Sequence, residues 1–413
     1  LSKPRVLFYL DCPVFGGSDR VITHLLRCPS FAEQWELSVI YRHNPHFTAG
    51  LEKALPASIP RTAVHFPERL EWLERCDARF KNWFVRKAVR AVLRVLEYGL
   101  FVFETVRLET LFRARRPDLV HINNGGYPGA MGCRAAARAA RAAGVRAVLM
   151  NAHGQARPLR LPWEALDSRL DRLVDRSTDA FVTASGAARE ALIARGFPAG
   201  KISRIPNGVP KPAATRDAVA VRKELGLKAS DLVWITTAFF EPRKGHAVIL
   251  EAIKDLTERN ALPSNTRFVF VGDGPERTAV EKRAEDWGLS GSLLFLGYRT
   301  DALDILNACD GMILPSLHSE DMPLIVLDAM ALGKPVIASA LPGIAEEVEP
   351  EVTGLLIAPG DAGRLAEAVA SLSDDPERRS AMGRAGRLRF ENDFEVGKTG
   401  ARYAELYRRL LLS

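Results

Sequence analysis

The chain has 413 residues, which suits two domains of about 200 residues each better than one ordinary core. Hydrophobic residues make up 47% and charged residues 26%, a globular composition that excludes a disordered or fibrous class. No apolar run approaches the roughly 20 residues that span a bilayer, and the opening LSKPRVLFYL lacks the pattern of a secretory signal.

The five cysteines are Cys12, Cys28, Cys76, Cys133 and Cys309. Their odd number and the absence of any CxxC pair argue against a disulfide framework or a structural zinc site, so each reads first as a small hydrophobe and a reducing cytoplasm fits. Net charge is +7, unevenly divided: residues 1–210 balance at +13 and the remainder at −6. Such asymmetry points the first half at something anionic, with a phospholipid surface, a pyrophosphate-linked substrate and nucleic acid as candidates.

Short apolar strands alternate with helical stretches in both halves, the signature of parallel sheets covered by helices. VLFYL (6–10), LSVIY (37–41), LVHIN (119–123), AVLMN (147–151) and AFVTAS (180–185) read as strands in the first half. LVWITTAFF (232–240), RFVFVG (267–272), LLFLG (293–297), GMILPS (311–316) and PVIAS (335–339) repeat the theme in the second.

The stretch IPNGVPKPAATRDAVAVRKELG reads as a domain connection, with the boundary near 209–217. The expected organisation is a first domain over 1–210, a second over 211–390, and a helical tail over 391–413 that packs back on the first.

One part of the first half breaks the pattern: residues 70–113 read as a long helical insertion. Phe80, Trp83, Phe84, Ala88, Ala91, Val92, Val95 and Leu96 follow helical spacing along one face, and Arg86, Arg90 and Arg94 recur every fourth residue beside it. Two readings stand. The segment around 79–96 lies on an anionic membrane as a basic amphipathic helix, or it packs its apolar face on the core and solvates its arginines. The first would make the protein peripheral at the inner face of a membrane.

Three strand-to-helix loops carry candidate chemistry. Gly16-Gly17-Ser18-Asp19-Arg20 follows the first strand; its glycines let the backbone turn sharply and approach a ligand, and Ser18 or Asp19 can cap the next helix. A Gly-Gly turn alone is equally an ordinary loop.

Ser319-Glu320-Asp321-Met322-Pro323-Leu324-Ile325 follows the strand GMILPS and opens a helix, with Pro323 suited to its first turn. Free amides around Met322 to Ile325 make an anion site there, reinforced by the helix dipole. Glu320 can accept hydrogen bonds from sugar hydroxyls and Asp328 from a ribose. Their place at the C-terminal end of a strand, where open parallel sheets bind ligands, strengthens the signal.

Glu241-Pro242-Arg243-Lys244-Gly245-His246 is the third; Lys244 can reach a diphosphate as a point charge and Arg243 can add a fork, although a solvated basic loop would look the same. Gly272-Asp273-Gly274-Pro275 and Gly297-Tyr298-Arg299 end two more strands, as turns that could floor a nucleotide pocket.

These elements together resemble the family 4 glycosyltransferases of GT-B fold. The likeness runs over nearly the whole chain: GGSDRV near the start, ASGAAREALIARGFPAGKISRIPNGV at the junction, then EPRKGHAVILEAI, VFVGDGPE, LGYRTD and SEDMPLIVLDAMALGKPVIAS in the same order. The resemblance implies two Rossmann-like α/β domains whose parallel sheets face a central cleft.

Residue by residue, the resemblance places Gly16 and Gly17 against the donor diphosphate and the acceptor. His153, in VLMNAHG, matches the histidine close to the transferred sugar, and Lys244 the diphosphate-binding lysine. Glu320 matches the first Glu of the E-x7-E motif, which holds donor-sugar hydroxyls. Asp328 stands at the second, which holds the ribose. Glu320, His153 and Lys244 are the expected catalytic groups. Arg243, Gly272, Arg299, Met322, Pro323, Leu324 and Ile325 complete the expected donor contacts, and Asn207 and Gly208 are structural.

Two departures matter. Phe239 stands where the family has a diphosphate-binding Arg, so Arg243, Arg20 or another cation must compensate, and Asp328 is one methylene shorter than Glu.

The implied function is retaining transfer of a sugar from a nucleoside-diphosphate-sugar to a glycan or lipid-linked glycan acceptor, in cell-surface polysaccharide or glycolipid synthesis. The implied path is front-face attack, with the donor phosphate helping to deprotonate the acceptor. The donor is a substrate; no bound cofactor, no metal and no nucleic-acid partner is expected, since the chain has no D-x-D motif and no nucleic-acid-reading motif. Helix dipoles and Lys244 would stabilise the leaving diphosphate. A nucleotide-sugar epimerase, a sugar phosphorylase and a weakened sugar-nucleotide-binding module are the rivals.

Overall fold

Runs of β-branched and aromatic residues bounded by glycine, asparagine and proline build two parallel sheets. The computed structural model describes residues 2–67, 79, 82–159, 164–212 and 215–412. The chain divides into two compact units, residues 1–205 with 400–413, and residues 206–399. The division falls at Ile205–Pro206 and again at Thr399–Gly400.

In the first unit the strands are β1 (Arg5–Leu10), β2 (Glu36–Arg42), β3 (Arg61–Val64), β4 (Leu119–Asn124), β5 (Ala147–Ala152), β6 (Ala180–Thr183) and β7 (Ile202–Arg204). They form one parallel sheet in the order β3-β2-β1-β4-β5-β6-β7. β4 and β5 are buried at every position, as expected of strands covered on both faces. The helix Met131–Ala142 lays five alanines, Ala135, Ala136, Ala137, Ala139 and Ala140, against that core, so the backbones approach closely.

The second unit holds β8 (Leu232–Thr237), β9 (Thr266–Val271), β10 (Leu293–Phe295), β11 (Gly311–Leu314), β12 (Val336–Ser339) and β13 (Gly354–Ile357), parallel in the order β10-β9-β8-β11-β12-β13. Trp234, Phe268 and Phe270 anchor its core against Ile249, Ile253 and Leu256 of the helix His246–Glu258. In both sheets chain order reverses beside the first strand, between β1 and β4 and between β8 and β11. A crevice opens at the carboxyl ends of strands at such a point.

Three strands escaped the sequence reading. They are β3, β7 and β13, of four, three and four residues. β8 is also shorter than LVWITTAFF: it stops at Thr237, and Ala238, Phe239 and Phe240 enter the loop.

The last helix, Val396–Leu412, ends in the first unit, where Tyr407 packs edge-on against Phe31 and Trp35 at 5.7 and 5.4 Å between ring centroids. Residues 70–78, 80 and 81 of the expected insertion, Phe80 and Cys76 among them, lie outside the described residues. The rest is one helix, Trp83–Arg115, capped by the Asn82 side chain, which accepts from the Phe84 amide at 2.9 Å.

Its orientation bears on the core-packing reading of its apolar face. Its buried side chains are Glu97, Phe101, Glu104, Leu108 and Phe112, of which Phe101, Leu108 and Phe112 join the core of the first unit. Trp83, Phe84, Val92, Val95 and Leu96 point to solvent instead, and Val102, Phe103 and Val106 continue that exposed side. The core-packing reading is therefore wrong for this face. The basic stripe is also incomplete: Arg94 is held by Glu97 at 2.8 Å and by Asp167 at 2.9 Å. Among the described residues no helix is long and apolar enough to cross a membrane.

Candidate functional site

The loops that follow β8 and β11 meet at the reversal point of the second sheet. Gly245 lets them do so: its φ is +73°, and a Cβ there would lie 2.1 Å from the Pro315 carbonyl oxygen. The Leu317 amide donates to the Arg243 carbonyl at 2.7 Å, tying the loops together.

Oε1 of Glu320 collects three donors in that junction. Arg243 Nη1 lies at 2.9 Å and Ser316 Oγ at 3.1 Å, and Lys244 Nζ closes on the same oxygen. Arg243 also reaches Glu241 at 2.7 Å. Two cations and two carboxylates thus balance in a cluster whose Lys244 and Glu320 side chains are 14% and 9% exposed, too dry for solvent to screen the charges fully.

The helix Leu324–Ala331 starts beside this cluster with Pro323 as its N-cap residue, one position before the expected first turn. Met322 is buried, its carbonyl accepting from Asn207 Nδ2 at 2.9 Å. Behind the loop, Gly343 presses so close that a Cβ would sit 1.5 Å from the Asp321 carbonyl oxygen. Asp328 is buried in the second turn of the helix.

Gly272 has φ of +142°, and a Cβ there would approach the Ala238 carbonyl oxygen to 1.9 Å, so it seals the neighbouring turn. Arg299 pairs with Asp301 and Glu224, each at 2.8 Å, away from the Glu320 cluster's own contacts. Phe239 is 56% exposed, while its neighbour Phe240 is buried and stacks on His246 at 4.0 Å.

One group here had no sequence signal. Glu347 ends the short helix Pro342–Glu347, is fully buried, and neither of its carboxylate oxygens has a hydrogen-bond partner. Burial pushes its pKa well up, and the negative charges of Asp321 and Glu320 push the same way. Its spacing in PGIAEE is that of any solvated acidic pair.

In the first unit, Gly16 is the N-cap of the helix Gly17–Arg27, and Asp19 accepts from the Gly16 amide at 3.2 Å, half of a capping box. The cap is therefore Gly16, with Asp19 in the first turn. Neither glycine has the left-handed backbone a sharp turn would need. A Cβ at Gly17 would meet nothing within 4 Å. Their smallness leaves open space and answers no internal strain.

His153 follows β5, its Nε2 2.7 Å from Asn123 Oδ1 at the end of β4. Asp19, Asn123 and His153 thus converge at the reversal point of the first sheet. The four described cysteines are free and buried, and no cluster of His, Cys, Asp and Glu among the described residues could hold a metal ion.

Residues 219–389 match the family model described as glycosyl transferases group 1, and residues 89–211 match that of glycosyltransferase family 4. The chain is 34% identical over 212 residues to the UDP-Gal:alpha-D-GlcNAc-diphosphoundecaprenol alpha-1,3-galactosyltransferase of Escherichia coli, covering 50% of this chain and 54% of that one. It is 31% identical over 265 residues to a GDP-mannose-dependent alpha-(1-6)-phosphatidylinositol monomannoside mannosyltransferase of Mycobacterium tuberculosis, covering 60% and 66%. The matches to the first such relatives span about half of their length, 54%, 55% and 52%.

Among solved structures, Anabaena Alr3699/HepE in complex with UDP superposes with a TM-score of 0.77 at 20% identity, over 98% of this chain and 100% of that one. WaaG, a glycosyltransferase involved in lipopolysaccharide biosynthesis, gives 0.62 at 15%, over 97% and 99%. At these identities the likeness establishes the fold, two Rossmann-like units of the GT-B type.

Proposed function

We infer, for a chain that belongs to the family 4 glycosyltransferases, that it transfers a sugar from a nucleoside-diphosphate-sugar to a glycan or lipid-linked glycan acceptor. The observation that carries this reading is the cluster of Arg243, Lys244 and Glu320 at the mouth of the helix Leu324–Ala331. A diphosphate arriving there draws the two cations from the carboxylate. Glu320 is then released to accept hydrogen bonds from sugar hydroxyls.

Lys244, Arg243 and the amides of Leu324 and Ile325 neutralise the charge that grows on the departing diphosphate, already oriented before the bond breaks. Arg243 takes over the charge that Phe239 cannot supply. These fixed positive groups support a reaction that needs no metal ion. The anomeric configuration is retained by front-face attack, with the donor phosphate taking the acceptor proton. The family resemblance gives His153 the role beside the transferred sugar and Asp328 the role at the ribose.

Two relatives named for diphosphoundecaprenol and phosphatidylinositol acceptors favour a lipid-linked acceptor here. The exposed apolar side of the helix Trp83–Arg115, in a half that balances at +13, favours an anionic membrane surface as partner. That partner would place the protein at the cytoplasmic face of a membrane.

The test is incubation of the full chain with radiolabelled UDP- and GDP-sugars, with and without polyprenyl-diphosphate-linked and glycolipid acceptors. Acceptor-dependent release of nucleoside diphosphate, unchanged by EDTA, supports the reading. Donor conversion without acceptor would make the protein an epimerase, and binding without turnover a sugar-nucleotide-binding module.

A further inference from the structure

A line of buried polar side chains runs from the Gly16-Gly17 loop to His153, and its hydrogen bonds have one consistent direction. Asp19 is fully buried, and its two oxygens divide the work. Oδ2 accepts from the Gly16 amide at 3.2 Å and from Ser18 Oγ at 3.4 Å, while Oδ1 accepts from Asn123 Nδ2 at 3.1 Å.

An ionised carboxylate only accepts, so Asn123 must turn its amide nitrogen toward Asp19. Its Oδ1 then faces His153 Nε2 at 2.7 Å, and an amide oxygen cannot donate. The proton in that contact belongs to Nε2.

Asn151 Nδ2, which carries two protons, gives one to the Tyr403 hydroxyl at 2.9 Å and also lies 3.4 Å from Nε2. Nε2 can serve only one of these partners well, and the 2.7 Å contact to Asn123 Oδ1 outweighs the longer 3.4 Å one.

We propose that Asp19, acting through Asn123, holds His153 in the Nε2-protonated neutral form and is a positioning residue for sugar transfer. In that form Nδ1 carries the ring's lone pair: the imidazole accepts a hydrogen bond from a hydroxyl there and does not donate one. The inference rests on the reading of His153 as the residue beside the transferred sugar.

Burial lifts the Asp19 carboxyl to about 6, against the lowering pull of the Gly16 amide, Cys12, Asn123 and Ser18, so it is ionised at neutral pH. His121, the other histidine of this region, is held neutral by burial, with a pKa lowered to about 3. No positive charge on it disturbs the line. A carboxylate kept so dry costs stability, and a residue needed only to cap a helix could sit in water at less cost.

The test is the imidazole nitrogen spectrum of the full chain at pH 7.5, labelled in histidine with 15N. The expected result is an Nε2-protonated neutral ring for His153. In Asp19→Asn, whose amide can donate to Asn123 and let it turn over, that population falls. The kcat for transfer falls about tenfold or more, and the donor KM stays unchanged.

A wild-type His153 protonated at Nδ1 overturns the proposal, and this result needs no variant to fold. So does an Asp19→Asn protein with the wild-type spectrum, or one with an altered spectrum and unaltered kcat. Absence of any transfer by the wild type would remove the glycosyltransferase reading alone, because the spectrum reports the ring whatever the protein catalyses.

Discussion

Arg243 donates to Oε1 of Glu320 at 2.9 Å, the same oxygen that Lys244 grips from the neighbouring position in its loop. A carboxylate with two cations on one oxygen is held in place, and it competes directly with any anion the cations are meant to bind. Replacing Glu320 should therefore have opposite effects on binding and on chemistry.

In Glu320→Gln, affinity for free UDP or GDP should equal or exceed wild type, because the cations lose a competitor. Transfer should fall by about two orders of magnitude, as the carboxylate that orders the sugar is gone. Isothermal titration and steady-state rates check the two halves, and a variant that loses nucleotide affinity would show that Glu320 mainly supports the loop.

Lys244→Ala should act the other way. The protein keeps its fold, since Arg243 still pairs with Glu320, but nucleoside-diphosphate affinity falls about tenfold or more with the lost charge-assisted contact. Comparable affinities for the diphosphate and the unphosphorylated nucleoside in the wild type would remove the basis for this expectation.

Glu347 gives a pH signature. Its folded pKa is raised above the ordinary value, so the native state holds the proton longer than the unfolded chain does. Its contribution is favourable while protonated. That contribution is lost as pH rises from the ordinary carboxyl range toward the folded value. Glu347→Gln, which keeps the neutral shape, should unfold at a higher denaturant concentration than wild type at pH 8 and nearly the same one at pH 4. Equal midpoints at both pH values would mean the carboxylate finds a partner in solution.

Two glycines should separate packing from ligand access. Gly343→Ala drives a methyl into the Asp321 carbonyl and should cost on the order of 3 kcal/mol in urea unfolding. Gly17→Ala has open space around it and should leave stability within about 0.5 kcal/mol while reducing transfer. If Gly17→Ala matched wild type in both, the loop would have no ligand to admit.

For the long helix, Val95→Asp and Val102→Asp change side chains that are 58% and 60% exposed, so folding should survive. Sedimentation with phosphatidylglycerol vesicles should drop against wild type. Arg94→Ala should instead lower thermal stability, because it leaves Asp167 and Glu97 without their shared cation. An unchanged vesicle pellet in the double valine variant would dismiss the membrane as partner.

The alternation of strands and helices was readable because buried parallel strands are continuous apolar runs, as in VLFYL and LVHIN, and their loops hold the candidate chemistry. Lys244 and Glu320, 76 residues apart, lie in loops that each follow a strand, and those strands are sheet neighbours.

The orientation of the helix Trp83–Arg115 was not readable. Its exposed valines and its docked Phe101, Leu108 and Phe112 both follow helical spacing, and only burial tells them apart. Glu347 and Asn123 were missed for a related reason. A buried polar residue looks like an exposed one until its surroundings are known. The reason for the glycines at 16 and 17 was also misread, since backbone conformation is not written in residue type.

Thermal unfolding of the full chain with saturating UDP, GDP, ADP and their sugars, and with the matching nucleosides, tests the central claim most directly. At least one diphosphate and its sugar should raise the midpoint by several degrees, the nucleoside should not, and Lys244→Ala should abolish most of the rise. A midpoint indifferent to every diphosphate, or a shift that persists in full in Lys244→Ala, would contradict the assignment of this cluster as a sugar-nucleotide site.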